Sequence, residues 1–167
     1  VLETGRLLRE VFLQQNAYHA VDAFCPIATQ RLLLGAILLF HAEAGNYEEA
    51  WRVLTRDNPL PATMGRVCYH PCEGACNRKQ LDEGVGINAI ERFLGDEALR
   101  RRWRFDPAPA ATGKKVLVVG AGPSGLSAAY HLTRRGHAVT IREAGPVAGG
   151  MMRFGIPKYR LPRNVLD

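Results

Sequence analysis

Two groups of residues in this chain of 167 have the types and spacing to do chemistry. The first is Cys68, Cys72 and Cys76, spaced C-x3-C-x3-C in the Gly- and Pro-containing stretch Gly65–Cys76. Thiolates are soft donors that suit an iron–sulfur centre or zinc. The C-x2-C pair typical of structural zinc is absent from the chain. A cubane 4Fe–4S cluster takes four ligands, and this segment offers three cysteines. Cys25 supplies the fourth if the N-terminal part folds back; Glu91 is another candidate, of a less usual ligand type. His70 is a ligand by type, but between two cysteines it reads as a loop histidine. The competing readings are zinc and buried free thiols. Three cysteines so close together argue against the latter in a reducing compartment.

The second group is Gly120-Ala121-Gly122-Pro123-Ser124-Gly125, which fits G-x-G-x-x-G, with Glu143 placed 23 positions after Gly120. Alone, the glycine pattern is weak. Here it follows the apolar, β-branched run Val116–Val119 and opens a segment with helical spacing at Leu126, Ala129, Tyr130 and Leu132. The first glycine permits the sharp turn. The second lets backbone approach a pyrophosphate, and the third lets helix pack on strand. Unpaired N–H groups and the positive end of the helix dipole would face the phosphates. Glu143 can accept from both ribose hydroxyls and would repel a 2′-phosphate, so the site suits FAD or NAD better than NADP. Adjacent Arg142 weakens that preference slightly. A tight strand-to-helix turn with no ligand is the alternative. Gly149-Gly150 follows shortly after the acid, and such a pair lets backbone pass the pyrophosphate from its other side, which tilts the reading toward FAD.

These residues need elements to position them. Leu2–Gln15 and Arg31–Ala44 carry helical apolar patterns around a connecting loop, His19–Thr29. Asn46–Leu54 predicts a helix with Tyr47, Ala50, Trp51 and Leu54 on one face, stopped by Asp57-Asn58-Pro59-Leu60-Pro61. Leu81–Leu99 predicts a further helix, broken near Gly84-Val85-Gly86 and Gly95. It would pack Ile87, Ile90, Phe93 and Leu94 toward the cysteines. Residues 106–113 read as an extended, semi-rigid Pro/Ala linker. Val116–Val119 predicts a strand buried on both faces, with Gly136 ending the next helix and Ala138–Ile141 forming a second strand. The fold class is therefore α/β with an N-terminal all-α part. It divides into a helical segment 1–45, a helical cluster domain 46–105, the linker, and the first βαβ portion of a Rossmann-like domain at 114–167. Two strands do not complete a Rossmann sheet, so the chain is expected to be part of a longer protein.

The totals agree. A hydrophobic share of 47% is that of a globular protein. The net charge of +6 is spread along the chain except at Arg100-Arg101-Arg102-Trp103-Arg104. That run reads as a solvated helix end rather than a nucleic-acid groove, because no nucleic-acid motif accompanies it; basic surface can also steer an acidic redox partner. Leu32–Phe40, the most apolar run, is about half of what spans a bilayer. With no signal peptide visible, the expected setting is cytoplasmic, without membrane insertion.

Tyr47-Glu48-Glu49-Ala50-Trp51, the string DNPLPATMGRVCYHPCEGACNR, the stretch through ERFLGD and the dinucleotide unit together resemble the glutamate synthase small-subunit family, over about residues 46–167. The resemblance implies an Fe–S and FAD oxidoreductase fed by NAD(P)H, with electrons leaving singly for a partner subunit or second active site. It implies that Cys68, Cys72 and Cys76 are the family's second cysteine group. Only Cys25-Pro26 corresponds to the first, so four cysteines allow at most one complete 4Fe–4S cluster. The segment from Met151 to Arg160 would run near the flavin, with Arg160 a candidate contact, and the NAD(P) domain would follow later. Separately, LLREVFLQQNAYHAVDAFCP and the helix ending FHAEA resemble the C-terminal helical region of the catalytic A subunit of V/A-type ATPases. That offers a rival reading, a non-catalytic helical segment joined to a flavoprotein piece. No acid/base pair or nucleophile triad stands out, as expected for electron transfer.

Overall fold

The computed structural model describes residues 40–167, without the side chains of Asn77 and Arg78. The expected helix Leu2–Gln15, most of Arg31–Ala44, the loop His19–Thr29 and Cys25 lie outside the described residues.

The first half is helical. Helix α1, Tyr47–Thr55, buries Ala50, Trp51 and Leu54 of the expected face and also Val53 and Thr55, while Tyr47 is half-buried. Pro61 starts α2, Pro61–Val67, where its missing N–H costs nothing. The short α3, Pro71–Gly74, and a 3-10 turn, Asn77–Gln80, follow. Helix α4, Ile87–Arg101, closes the layer. Ala50, Trp51, Val53, Leu54, Leu94 and Ala98 form its apolar core.

Two expectations for α4 are corrected. The helix begins at Ile87, not Leu81: the break expected near Gly84–Gly86 is there, but the residues before it form no α-helix. Gly95 does not break it. A Cβ there would stand 2.2 Å from the Ala62 amide nitrogen, so the glycine is where α2 and α4 meet backbone to backbone. The Arg66 guanidinium straps the same contact, donating to both Asp96 carboxylate oxygens at 2.7 and 3.0 Å. The face expected to cover the cysteines turns elsewhere: Leu94 and Ile90 pack on α1, and Phe93 meets the Tyr47 ring edge-on at 5.2 Å.

The second half is a two-stranded parallel sheet. Strand β1, Lys115–Val119, pairs with β2, Ala138–Arg142, with Val116 opposite Val139 and Val118 opposite Ile141. Helix α5, Pro123–Thr133, connects them and ends just before Gly136, whose φ of 81° suits only glycine without strain. Helices α6, Met151–Phe154, and α7, Arg163–Leu166, complete the order. The strand expected to be covered on both faces is covered on one: Val116 and Val118 are half-buried, while Leu117 and Val119 stand exposed. Among the described residues no helix is long and apolar enough to cross a membrane.

The linker is held rather than free. Thr112 donates its amide and its hydroxyl to the Gly136 carbonyl at 2.9 and 3.2 Å, and its Oγ1 lies 2.6 Å from His137 Nδ1. At the other end Phe105 stacks on Trp51 at 5.1 Å.

Candidate functional site

The glycine turn forms a cradle of bare backbone. Gly120, at φ 97°, turns the chain off β1, and its N–H donates to the Arg142 carbonyl at 2.7 Å. Gly122 is the N-cap of α5 with extended backbone and no capping side chain, so no side chain caps the amides opening this helix. A Cβ on Gly125 would lie 1.9 Å from the Gly120 carbonyl oxygen; the third glycine thus lets α5 close on the strand. The turn at Gly120 and the close packing at Gly125 are the tasks the spacing assigned to the first and third glycines.

The second glycine pair comes to the same place. The Gly149 amide donates to the Ala121 carbonyl at 2.8 Å, and a Cβ on Gly150 would stand 2.8 Å from Gly122 Cα. Gly149 and Gly150 both take positive φ, so the backbone of residues 149–150 forms a second wall against Gly122. Met151 opens α6 and is exposed, whereas Met152 is buried. Arg160 is exposed in the turn after Pro157, its amide donating to the Pro157 carbonyl at 3.0 Å.

Glu143 sits at the end of β2 with its carboxylate turned to the turn. Oε2 accepts from the Ala121 amide at 2.6 Å and Oε1 from the Gly145 amide at 2.8 Å. The Gly145 and Ala121 amides hold its carboxyl below the ordinary value, so it is charged at neutral pH. Each oxygen keeps a further lone pair, and the residue is exposed. Sequence reasoning foresaw the acid but not its second task, pinning the glycine turn. The residues therefore fit a dinucleotide: uncapped amides for the diphosphate, side-chain-free walls, and a charged acceptor at the strand end.

The cysteines are arranged by a tight left-handed corner. Cys68 caps α2, and its Sγ accepts from the His70 amide at 3.2 Å. His70 adopts φ 43°, a left-handed conformation uncommon outside glycine, and turns the chain into α3, which carries Cys72. The His70 side chain faces Glu73, with Nε2 3.9 Å from Oε2. Glu73 Oε1 accepts from the Asn88 amide at 2.8 Å. That bond ties the cysteine loop to the start of α4, a link the sequence pattern did not signal. Partial burial pushes the Cys72 thiol up, against a hydrogen bond from the Glu73 amide and with help from the charges of Glu73, Cys68 and Glu91. Cys68, Cys72 and Cys76 are free thiols. The donor chemistry fits a thiolate-bound centre, yet among the described residues no three Cys, His, Asp or Glu side chains converge as a metal site.

Comparison with known proteins matches these two regions to two family models. Residues 19–103 match the 4Fe-4S cluster domain II of dihydropyrimidine dehydrogenase, and residues 118–163 match an NAD(P)-binding Rossmann-like domain. The NADP(+)-dependent formate dehydrogenase subunit beta of Moorella thermoacetica is 44% identical over 73% of this chain and 20% of its own length. The NADPH-Fe(3+) oxidoreductase subunit beta of Geobacter sulfurreducens is 42% identical over 72% of the chain and 18% of its own. The small chain of NADPH glutamate synthase from Bacillus subtilis is 40% identical over 74% and 25%. The chain thus spans about a fifth to a quarter of these relatives. The first match crosses position 45 without interruption, so residues 19–45 go with the cysteine segment, and the ATPase resemblance finds no support. The chain belongs to the family of 4Fe-4S cluster domains typified by domain II of dihydropyrimidine dehydrogenase, here continuing into the start of a Rossmann-like nucleotide-binding domain.

Proposed function

We propose that this chain is the junction of an NAD(P)H-dependent flavoprotein oxidoreductase, where a flavin site adjoins a cluster site that feeds a partner subunit or second active site. The observation that carries the reading is the double glycine cradle: Gly149-Gly150 packed on Gly122, beside the uncapped start of α5. Gly120, Ala121, Gly122, Pro123, Ser124 and Gly125 hold the diphosphate of FAD from one side, Gly149, Gly150 and Met151 from the other. Glu143 accepts from the adenosine ribose, and Arg160 is a further contact. Bound FAD exchanges a two-electron hydride donor for one-electron carriers; the chain's residues supply position and charge. The relatives' names include NADPH-linked subunits beta and small chains, which supports both the nucleotide donor and a partner subunit. The setting is cytoplasmic, where thiols stay reduced.

Cys68, Cys72 and Cys76 are the proposed ligands of one 4Fe–4S cluster. The fourth is Cys25 or Glu91. Cys25 lies within the matched cluster domain; the charge of Glu91 reaches the Cys72 thiol. Cys25→Ser and Glu91→Ala separate the two: the true ligand's variant loses iron and the other keeps it.

The test is anaerobic purification of the full-length parent, with iron, zinc and flavin analysis. The expected product contains FAD and iron and absorbs broadly near about 400 nm, as thiolate-bound clusters do. Zinc without iron would remove the cluster assignment, and a flavin-free product would remove the cradle's assigned ligand.

A further inference from the structure

The helical domain and the nucleotide-binding unit meet at a contact that neither motif signals. Thr55 and Arg56 end α1 with carbonyls free of helical partners, because Pro59, four residues after Thr55, has no N–H and the Leu60 amide, four after Arg56, donates to Asn58 Oδ1 at 3.1 Å. Tyr130 of α5 and Arg134, the residue that caps its C-terminus, reach these carbonyls from far along the chain. The Tyr130 hydroxyl donates to the Thr55 carbonyl at 2.6 Å, and Arg134 Nη1 donates to the Arg56 carbonyl at 3.1 Å. Tyr130 and Arg134 are four apart, so they share one face of α5, and the Arg134 guanidinium lies 5.5 Å from the Tyr130 ring centre. A cation also suits the negative end of α1's dipole.

Between the domains sits Phe105, the residue that enters the linker. Its ring stacks on the buried Trp51 at 5.1 Å and 20°, and meets Tyr130 edge-on at 4.9 Å. Trp51, Phe105 and Tyr130 thus form one aromatic stack from the core of the helical domain to α5. Thr112 pins the linker's other end to Gly136. A spacer would need none of these contacts.

We propose that Tyr130, Arg134 and Phe105 clamp the cysteine-bearing helical domain to the first helix of the nucleotide-binding domain, so that the two redox sites keep one separation. The three are positioning residues, and their role rests on the flavin-and-cluster reading above. Electron transfer between fixed centres depends on the distance between them, and α5 starts at the glycine cradle, so a clamp on α5 fixes the cradle relative to the cysteines.

The test uses the full-length parent with its cofactors, in wild-type form and as Tyr130→Phe, Arg134→Gln and the double variant. Trypsin cleavage at the Arg104–Phe105 bond, followed by mass spectrometry, reads the clamp without any activity. Losing one such hydrogen bond should raise the initial cleavage rate about fivefold, and the double variant should exceed either single one. Arg135→Gln, at the exposed neighbouring position, should match wild type. In stopped-flow measurements, electron transfer from flavin to iron should slow in the double variant, with flavin reduction by NAD(P)H and the iron and flavin contents unchanged. Unchanged cleavage in the double variant overturns the clamp. Faster cleavage with unchanged transfer between the centres overturns its positioning role. A parent that binds neither flavin nor iron defeats the functional reading, and the cleavage result then decides the clamp by itself.

Discussion

At the scale of single residues, Glu143 pins the glycine turn, and its assigned role toward a ribose is open to test. It holds the Ala121 amide of the glycine turn and stands at the end of β2, where a ribose would lie. Glu143→Ala in the full-length parent should weaken FAD retention roughly tenfold, measured by flavin release on dilution. Retention equal to wild type would reject the assignment. The pH dependence has a definite sign. The folded value lies below the ordinary 4.5, so any stability Glu143 contributes is present above the unfolded value and lost as pH falls through the folded one. Amide shifts of Ala121 and Gly145 followed downward in pH should therefore change with a midpoint below 4.5. Glu97 is the sharper case: hydrogen bonds from Arg100 and Arg101 bring its carboxyl down to about 2, and its titration should be seen only near that pH.

At the scale of elements, the α2–α4 contact shows why a glycine inside a helix is no reliable break. Gly95 is buried where the backbone of Ala62 approaches. Gly95→Ala gains helix propensity, but the added methyl has no room. The clash should dominate and cost about 1–3 kcal/mol, seen as a lower melting temperature. A melting temperature raised by this substitution would refute the close contact. Arg66→Ala removes the paired hydrogen bonds to Asp96 across the same seam. It should cost about 1 kcal/mol, since the Asp96 side chain remains partly exposed. Two other elements were legible in advance. The proline-bounded end of α1 and the strand–turn–helix at Gly120 fell where the pattern put them, because local sterics fix both. The break at Gly84–Gly86 is legible in its glycines, but the residues from Leu81 to that break, expected as helix, form none.

At the scale of the whole molecule, the helical and strand-bearing halves of the described residues are joined by a few contacts of long sequence separation. The cysteine loop is tied to α4 through Glu73 and Asn88. The helical layer is tied to α5 through Tyr130 and Arg134. Cys68→Ser, Cys72→Ser or Cys76→Ser in the parent should each abolish iron retention while leaving bound flavin unchanged, because the two sites draw on separate elements. Iron retained in all three variants would show that these thiols are not its ligands. The candidate sites were legible to different depths. The geometry of the glycine turn could be read from its glycines, since it lies in local backbone, while the Glu143 bond to the Ala121 amide could not. The cysteine triplet could be read as a donor set but not as an assembled site, since a fourth ligand must come from elsewhere in the chain.

Sequence alone determined the glycine turn, the soft donor segment and the order in which they occur. These depend on φ-permissive glycines, residue type and spacing over a few positions, all of which act locally. Only the tertiary structure decided that Gly95 is a seam and that Tyr130 and Arg134 reach the end of α1. Each of those is a meeting of backbone or side chain across dozens of residues, and spacing along a chain carries no record of which distant carbonyl is left unpaired.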